Sequence, residues 1–247
     1  MVRLPTRRLL APLTLAYHGV NTIDPADNAK ELVMAPAYLE SQVRFLRRLG
    51  YRFATAEEIA ATGRPQPRGT AVLTFDDGWR DALTVVAPLL TRLGVRATFY
   101  VNPGLWGARH QLVTGDAGRL LTADEARALV HDAGMELGAH SLRHDDLRTL
   151  DDTALTADLA DGKAAVEAVT GRPCTTLAYP FGAYDARVQR ATAAAGYTLA
   201  WAWLPGPWTP LAAPRLPGPT RSGAARLAIK MTGVRRSQAV GPVAGSD

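Results

Sequence analysis

Thr74-Phe75-Asp76-Asp77-Gly78 closes the apolar run Thr70-Ala71-Val72-Leu73 and precedes a helical pattern opening at Trp79-Arg80-Asp81. The short continuous apolar run reads as a buried strand. Two adjacent carboxylates at its end raise each other's pKa unless positive charge intervenes. A divalent cation would relieve that repulsion. Its other ligands are best sought in His140-Ser141-Leu142-Arg143-His144, which follows a second strand-like run, Met135-Glu136-Leu137-Gly138-Ala139.

The same organisation extends outward from these two segments. Strands are expected at Leu13–Ala16, Tyr51–Ala54, 97–101, 175–179, 197–201 and around 211–216. Between them, Leu39, Val43, Leu46 and Leu49 recur at helical spacing up to Gly50. Thr55 with Glu58, and Thr122 with Glu125, have the spacing of capping boxes. Further helices are expected from Asp81 to Leu93, from Asp151 or Asp152 to Gly171, from Asp185 to Ala195, and weakly over Ala224–Met231. Asn102–Leu121 reads as a long irregular loop, a length often tied to function. Alternating strands and helices predict a mainly parallel sheet covered by helices, a (β/α) barrel. Reactive side chains in such folds gather at the C-terminal ends of strands. His18, Asp76-Asp77, His140/His144 and Pro180-Phe181-Gly182 all fall there.

With 247 residues and 47% hydrophobic content, the chain has ample material for a core. The single cysteine, Cys174, excludes an internal disulfide and reads as a small buried residue. Arg3, Arg7 and Arg8 at the start, and Arg221, Arg226, Lys230, Arg235 and Arg236 near the end, outweigh the formal net charge of +5. The remainder is therefore net acidic, which argues against a nucleic-acid partner. The basic C-terminal stretch suits a solvated tail or peripheral contact with an anionic membrane. Arg3/Arg7/Arg8 followed by Leu9-Leu10-Ala11-Pro12-Leu13 mimics a signal peptide, but Pro12 breaks the apolar part and no small-residue cleavage site follows. The expected location is cytoplasmic. The expected division is a barrel over residues 1–220 and a basic, partly disordered tail over 221–247.

Two neutral imidazoles and a carboxylate with open positions suit zinc, with cobalt or nickel as alternatives. The spacing of His140 and His144 puts both rings on one side if a helical turn follows the strand. Such an ion lowers the pKa of water and polarises a carbonyl. One acid of Asp76-Asp77 suffices as a ligand, leaving the other as a general base. A backbone N–H of the Pro180-Phe181-Gly182 turn would face a developing oxyanion. These parts describe hydrolysis of an amide or ester.

In order and separation, Thr74-Phe75-Asp76-Asp77-Gly78, His140-Ser141-x-x-His144 and Tyr179-Pro180-Phe181-Gly182 resemble the first three motifs of the polysaccharide deacetylase family (NodB homology, carbohydrate esterase family 4). The resemblance spans roughly residues 14–216. It implies a deformed (β/α) barrel of seven strands and hydrolytic removal of N- or O-acetyl groups from a sugar, polysaccharide or glycoconjugate. It further implies Asp76 as base, Asp77, His140 and His144 as metal ligands, and the Phe181 N–H as oxyanion donor. Tyr179, Pro180 and Trp106 are the candidate substrate contacts, although packing is the commoner use of aromatic residues.

Two positions depart from the family pattern. Ala178 stands where an Arg normally partners the base, with Arg80 a candidate replacement. Arg215-Leu216-Pro217 stands where a Leu-x-His normally supplies the acid. The pair Tyr17-His18 resembles the branch acting on poly-N-acetylglucosamine, whose N-terminal histidine is the acid, so His18 is expected to fill that role. His110 and His131 read as solvated. The competing functions are a catalytically weak carbohydrate-binding protein of the same fold, and a deformylase or amidase acting on another C–N bond.

Overall fold

The computed structural model describes residues 10–28, 30–113, 115–203 and 206–239. Ten strands occur among these residues. Eight form one parallel sheet: β1 (Leu13–Tyr17), β4 (Arg52–Ala54), β5 (Thr70–Phe75), β6 (Thr98–Val101), β7 (Glu136–Ala139), β8 (Thr176–Ala178), β9 (Leu199–Trp203) and β10 (Ala213–Pro217). The order β1-β10-β9-β8-β7-β6-β5 closes on itself because β1 also pairs with β5, Tyr17 opposite Phe75, while β4 is added outside β5. The barrel is thus a closed ring of seven parallel strands. The two-residue strands β2 (Gly19–Val20) and β3 (Val33–Met34) pair beside it. They are too short to leave a periodic signal.

Strand sequences read as continuous apolar runs because both faces are buried. On β5, Ala71, Leu73 and Phe75 point into the outer core beneath the helices. Val72 points inward, where it meets Tyr100, Ala178, Leu199, Trp201 and Ala213. Around the ring pack α1 (Pro36–Leu49), α3 (Ala87–Arg92), α4 (Ala123–His131), α5 (Asp152–Thr170) and α6 (Ala186–Ala194). The expected caps are present at Thr122 and Asp151, and Gly50 and Gly171 end their helices at φ 91° and 67°. The short α2 (Ala56–Ala60) plugs the bottom of the barrel with Ala56, Ile59 and Ala60. Thr98 Oγ1 and Glu136 Oε1 accept the N–H groups of Ala56 and Glu57, both at 2.9 Å, so two of its otherwise unpaired donors are satisfied from the barrel floor.

Two expectations need correction. The helix expected from Asp81 to Leu93 is a π-helix over Ala82–Val86 that tightens into α3. Pro88 has no N–H and cannot bond the preceding turn, which favours the wider winding. The strand expected at 197–201 begins at Leu199, because Tyr197 closes the end of α6 with its N–H on Thr192 O and buries its ring with the hydroxyl on Leu159 O. The basic stretch contains α7 (Ala224–Ala239), with Leu227 and Met231 buried against the main core. Residues 240–247 lie outside the described residues. Cys174 is buried as expected, its thiol pushed up to about 11 by burial. Among the described residues no helix is long and apolar enough to cross a membrane.

Gly138 sits on the inner face of β7, where an added Cβ would strike the Tyr100 ring and stand 2.6 Å from Thr176 Oγ1. Gly138→Ala is expected to destabilise the fold by about 1–3 kcal/mol through overpacking, measured by urea unfolding.

Candidate active site

The chain reverses immediately after β5, with Asp77 at φ 70° and Gly78 at φ 69°. That left-handed pair turns both carboxylates to the barrel mouth. Only five described residues other than glycine have positive φ: Glu31, Asp77, Ser141, His144 and Phe181. Four of them belong to the three sequence motifs. Backbone held in a disfavoured region must be over-determined by its surroundings, and such residues cluster at functional sites.

Asp76 and Asp77 are 2% and 5% exposed. Asp76 is held by Arg215, on β10, whose two terminal nitrogens reach Oδ1 at 2.7 Å and Oδ2 at 2.8 Å, a bidentate fork. The guanidinium is fully buried, also donates to Thr74 Oγ1 at 3.0 Å, and lies against the rings of Trp203 and Tyr100. Burial pushes the Asp76 carboxyl up, but the charge of Arg215 and its hydrogen bonds outweigh it and hold the group below the usual carboxylate value. Arg215 therefore fills the place left empty by Ala178. Arg80 does not: it faces outward and pairs with Glu125 at 2.6 Å. The sequence carried little signal for this pair, because the partners are 139 positions apart.

Asp77 faces three imidazoles. His140 Nε2 and His144 Nε2 lie 3.5 and 3.3 Å from Oδ1, while His110 Nε2 lies 3.3 Å from Oδ2. Burial raises the Asp77 carboxyl, and the surrounding imidazoles of His110, His140 and His144 bring it well below the ordinary value. His140 is the better defined ring. Its Nδ1 is 2.7 Å from Ala178 O, and since a carbonyl only accepts, Nδ1 carries the hydrogen and Nε2 presents a lone pair to Asp77. Asp77 Oδ1 is buried with no hydrogen-bond partner. One oxygen and two ring nitrogens, all within 4.8 Å of one another, thus converge on one point. That donor set fits a divalent ion of the zinc type. His144 is part-buried, which disfavours its charge, yet the carboxylate of Asp77 raises its pKa, as though a proton occupied the cation's place.

No helical turn carries the two histidines. Instead Ser141 and His144, both at φ 64°, form a tight loop. Ser141 Oγ accepts the His144 N–H at 2.9 Å, and Asp158 of α5 accepts the Leu142 N–H at 3.0 Å. Asn102 at the end of β6 donates its amide to His140 O.

His18 follows β1, whose last residue, Tyr17, accepts the Asp76 N–H through its carbonyl at 2.8 Å. The strand just beyond His18 is pinned by Asp81, whose Oδ2 accepts the Val20 N–H at 2.8 Å. Phe181, at φ 58°, projects a ring 60% exposed over His144, with centroids 4.7 Å apart. Its turn is closed by Gly182 N–H on Tyr179 O and Ala183 N–H on Pro180 O, neither of which uses the Phe181 N–H. Tyr179 and Pro180 are buried, and the Tyr179 hydroxyl donates to Leu211 O. Their side chains shape the turn and offer no free face to a sugar, which corrects their expected part in substrate contact. Trp106 packs half-buried on the main core. His131 is exposed at the end of α4, as expected. His110 is not solvated as expected: its side chain is 15% exposed and stacks on Trp79.

A model of the family described as polysaccharide deacetylase matches residues 63–200. YxkH of Bacillus subtilis (strain 168), provisionally named a polysaccharide deacetylase, is 24% identical over 195 residues, covering 78% of this chain and 64% of that protein. A chitin deacetylase of Pestalotiopsis sp is 28% identical over 154 residues, covering 58% of this chain and 48% of the relative. The chain therefore spans about half to two thirds of the length of these relatives. Among solved structures, the deacetylase PplD of Streptococcus pyogenes superposes with a TM-score of 0.77 at 23% identity, covering 90% of this chain and 98% of that one. At that identity the likeness speaks for the fold.

Two outcomes follow from the buried charges. Arg215→Met leaves Asp76 buried without its partner and is expected to cost about 3–5 kcal/mol in urea unfolding. Burial pushes Asp81 up to about 7, so the folded state holds an extra proton between the ordinary carboxylate value and that point. Stability from this group is present at low pH and lost as pH rises through about 7. Asp81→Asn should remove that decline, so that the variant gains on the parent between pH 5 and pH 8 in thermal melts.

Proposed function

The chain belongs to the polysaccharide deacetylase family, and from that premise we propose that it is a metal-dependent hydrolase removing an N-acetyl group from a sugar, polysaccharide or glycoconjugate. The observation that carries the proposal is the split fate of Asp76 and Asp77. Asp77 converges with His140 and His144 as a ligand set, whereas Asp76 is ionised and turned to Arg215. A module that only bound sugar would have no use for a second, unligated acid in a buried site.

Asp77, His140 and His144 would hold a divalent ion, which when bound would supply Lewis-acid polarisation of the acyl group and lower the pKa of nearby water. The other steps belong to the chain. Asp76 accepts the proton of the attacking water, with Arg215 keeping the carboxylate charged and fixing its plane. The Phe181 N–H donates to the oxygen that becomes negative as the acyl carbon turns tetrahedral. His18, taking the role of the missing Leu-x-His, gives a proton to the departing amine nitrogen. The exposed Phe181 ring forms one wall of the opening. Trp106 has only its outer part left for a glycan.

The pairing of Arg215 with Asp76 weakens the reading as an inert carbohydrate binder, which drew support from the absent Arg at position 178. The proposal retains the division into a barrel, 1–220, and a basic stretch, 221–247. Within the latter, Arg221 pairs with Glu31 and Lys230 donates to Pro217 O, which lowers the charge left for an anionic membrane.

Acetate release from a panel of N-acetylated sugars and oligosaccharides, with and without a chelator, tests the proposal. Turnover should disappear with chelator and return with zinc or cobalt. Asp76→Asn should lower it by about 10²–10⁴-fold, and His18→Ala should lose turnover while still taking up one equivalent of metal. Release of formate without acetate, or release unaffected by chelation, would reject the reading.

A further inference from the structure

The oxygen of Asp77 that faces away from His140 and His144 is also organised, by residues outside the three motifs. His110 belongs to the loop between β6 and α4. The loop is tied down at both ends of the contact: Leu121 N–H bonds Gly78 O and Arg80 N–H bonds Arg119 O, both at 2.8 Å, and His110 N–H bonds Gly118 O at 2.7 Å. The His110 ring stacks on the indole of Trp79, centroids 4.4 Å apart and planes 28° from parallel. The backbone N–H of Leu112 donates to its Nδ1 at 3.2 Å. Nδ1 is thereby an acceptor, so in the neutral ring the hydrogen sits on Nε2, which is aimed at Asp77 Oδ2. Trp79 Nε1–H approaches the same oxygen at 3.4 Å.

The carboxylate is therefore divided. Oδ2 faces two N–H donors, whereas Oδ1 faces two imidazole nitrogens and makes no hydrogen bond of its own. We propose that His110, seated on Trp79, is a positioning residue that fixes Asp77 as a one-oxygen ligand by holding Oδ2 away from the cation. This inference rests on the metal reading of the Asp77–His140–His144 set. It gives the long loop a task at the metal that no sequence motif marked. Neighbours of this kind orient a ligand and raise its affinity, and their loss typically weakens metal binding by about 10–100-fold.

The test is a Co²⁺ titration of the full-length apoprotein, in competition with a chelating dye, together with the visible spectrum of the cobalt-loaded form. His110→Ala should weaken Co²⁺ binding about 10–100-fold and leave the saturated spectrum close to that of the parent. His110→Gln keeps an N–H donor and should recover most of the affinity, which also controls for damage to the loop. Equal affinity in parent and His110→Ala would overturn the inference alone. So would a spectrum showing that His110→Ala has lost a ligand, because His110 would then bind the ion itself, and so would a His110→Gln variant as weak as His110→Ala. Failure of the parent to bind cobalt would instead remove the metal reading and the inference with it.

Discussion

Two carboxylates on consecutive residues, both nearly closed off from water, cannot remain ionised unless each finds its own compensating partner. The rest of the site is arranged around that constraint. Asp76 is met from across the ring by Arg215, and Asp77 by imidazoles from two loops. A parallel barrel suits the task because every strand ends at the same rim, so groups distant in sequence can be brought to one point. The left-handed turn at Asp77-Gly78 then sends adjacent side chains in different directions, one toward the guanidinium and one toward the histidines. Separation of partners between the two acids is thus a property of backbone geometry as much as of their neighbours.

What was legible in the sequence was local. Continuous apolar runs ending in Asp76-Asp77, His140 and Pro180 marked strand ends, and the capping residues marked helix starts, because those signals depend on neighbours a few positions away. Arg215 carried no such signal. It sits in a short strand beside prolines, and its meaning arises only when β10 pairs between β9 and β1. His110 was misread for a similar reason: a histidine in an aperiodic loop looks solvated until the loop folds back under Trp79. The π-helix at Ala82–Val86 was hidden because a helical period and a proline were both present, and the compromise between them is a matter of winding.

The motif residues Ser141, His144 and Phe181 share with Asp77 a backbone conformation that side chains disfavour. The forces that hold them there are ordinary ones. Asp158 and Ser141 satisfy N–H groups of the histidine loop, and Gly162 on α5 has no side chain to obstruct it, since a Cβ there would lie 3.2 Å from Leu142 N. Helix α5 is therefore more than a cover for the sheet; its inner face is the mould for the histidine loop. Similarly, Gly182 leaves room for the Trp203 ring, which in turn lies against the guanidinium of Arg215. The Phe181 turn and Asp76 are mechanically linked through that stack.

The guanidinium that neutralises Asp76 comes from the last strand of the ring, which a ribosome delivers long after the acid itself. Until that strand is inserted, the growing chain carries a carboxylate facing a half-made interior with nothing to offset its charge. Insertion of the strand removes that electrostatic penalty and closes the cylinder in a single event, so the two ends of the domain are expected to lock cooperatively. An unclosed intermediate, whatever its secondary structure, lacks the Arg215–Asp76 pair. The Arg215–Asp76 pair is a property of the finished ring.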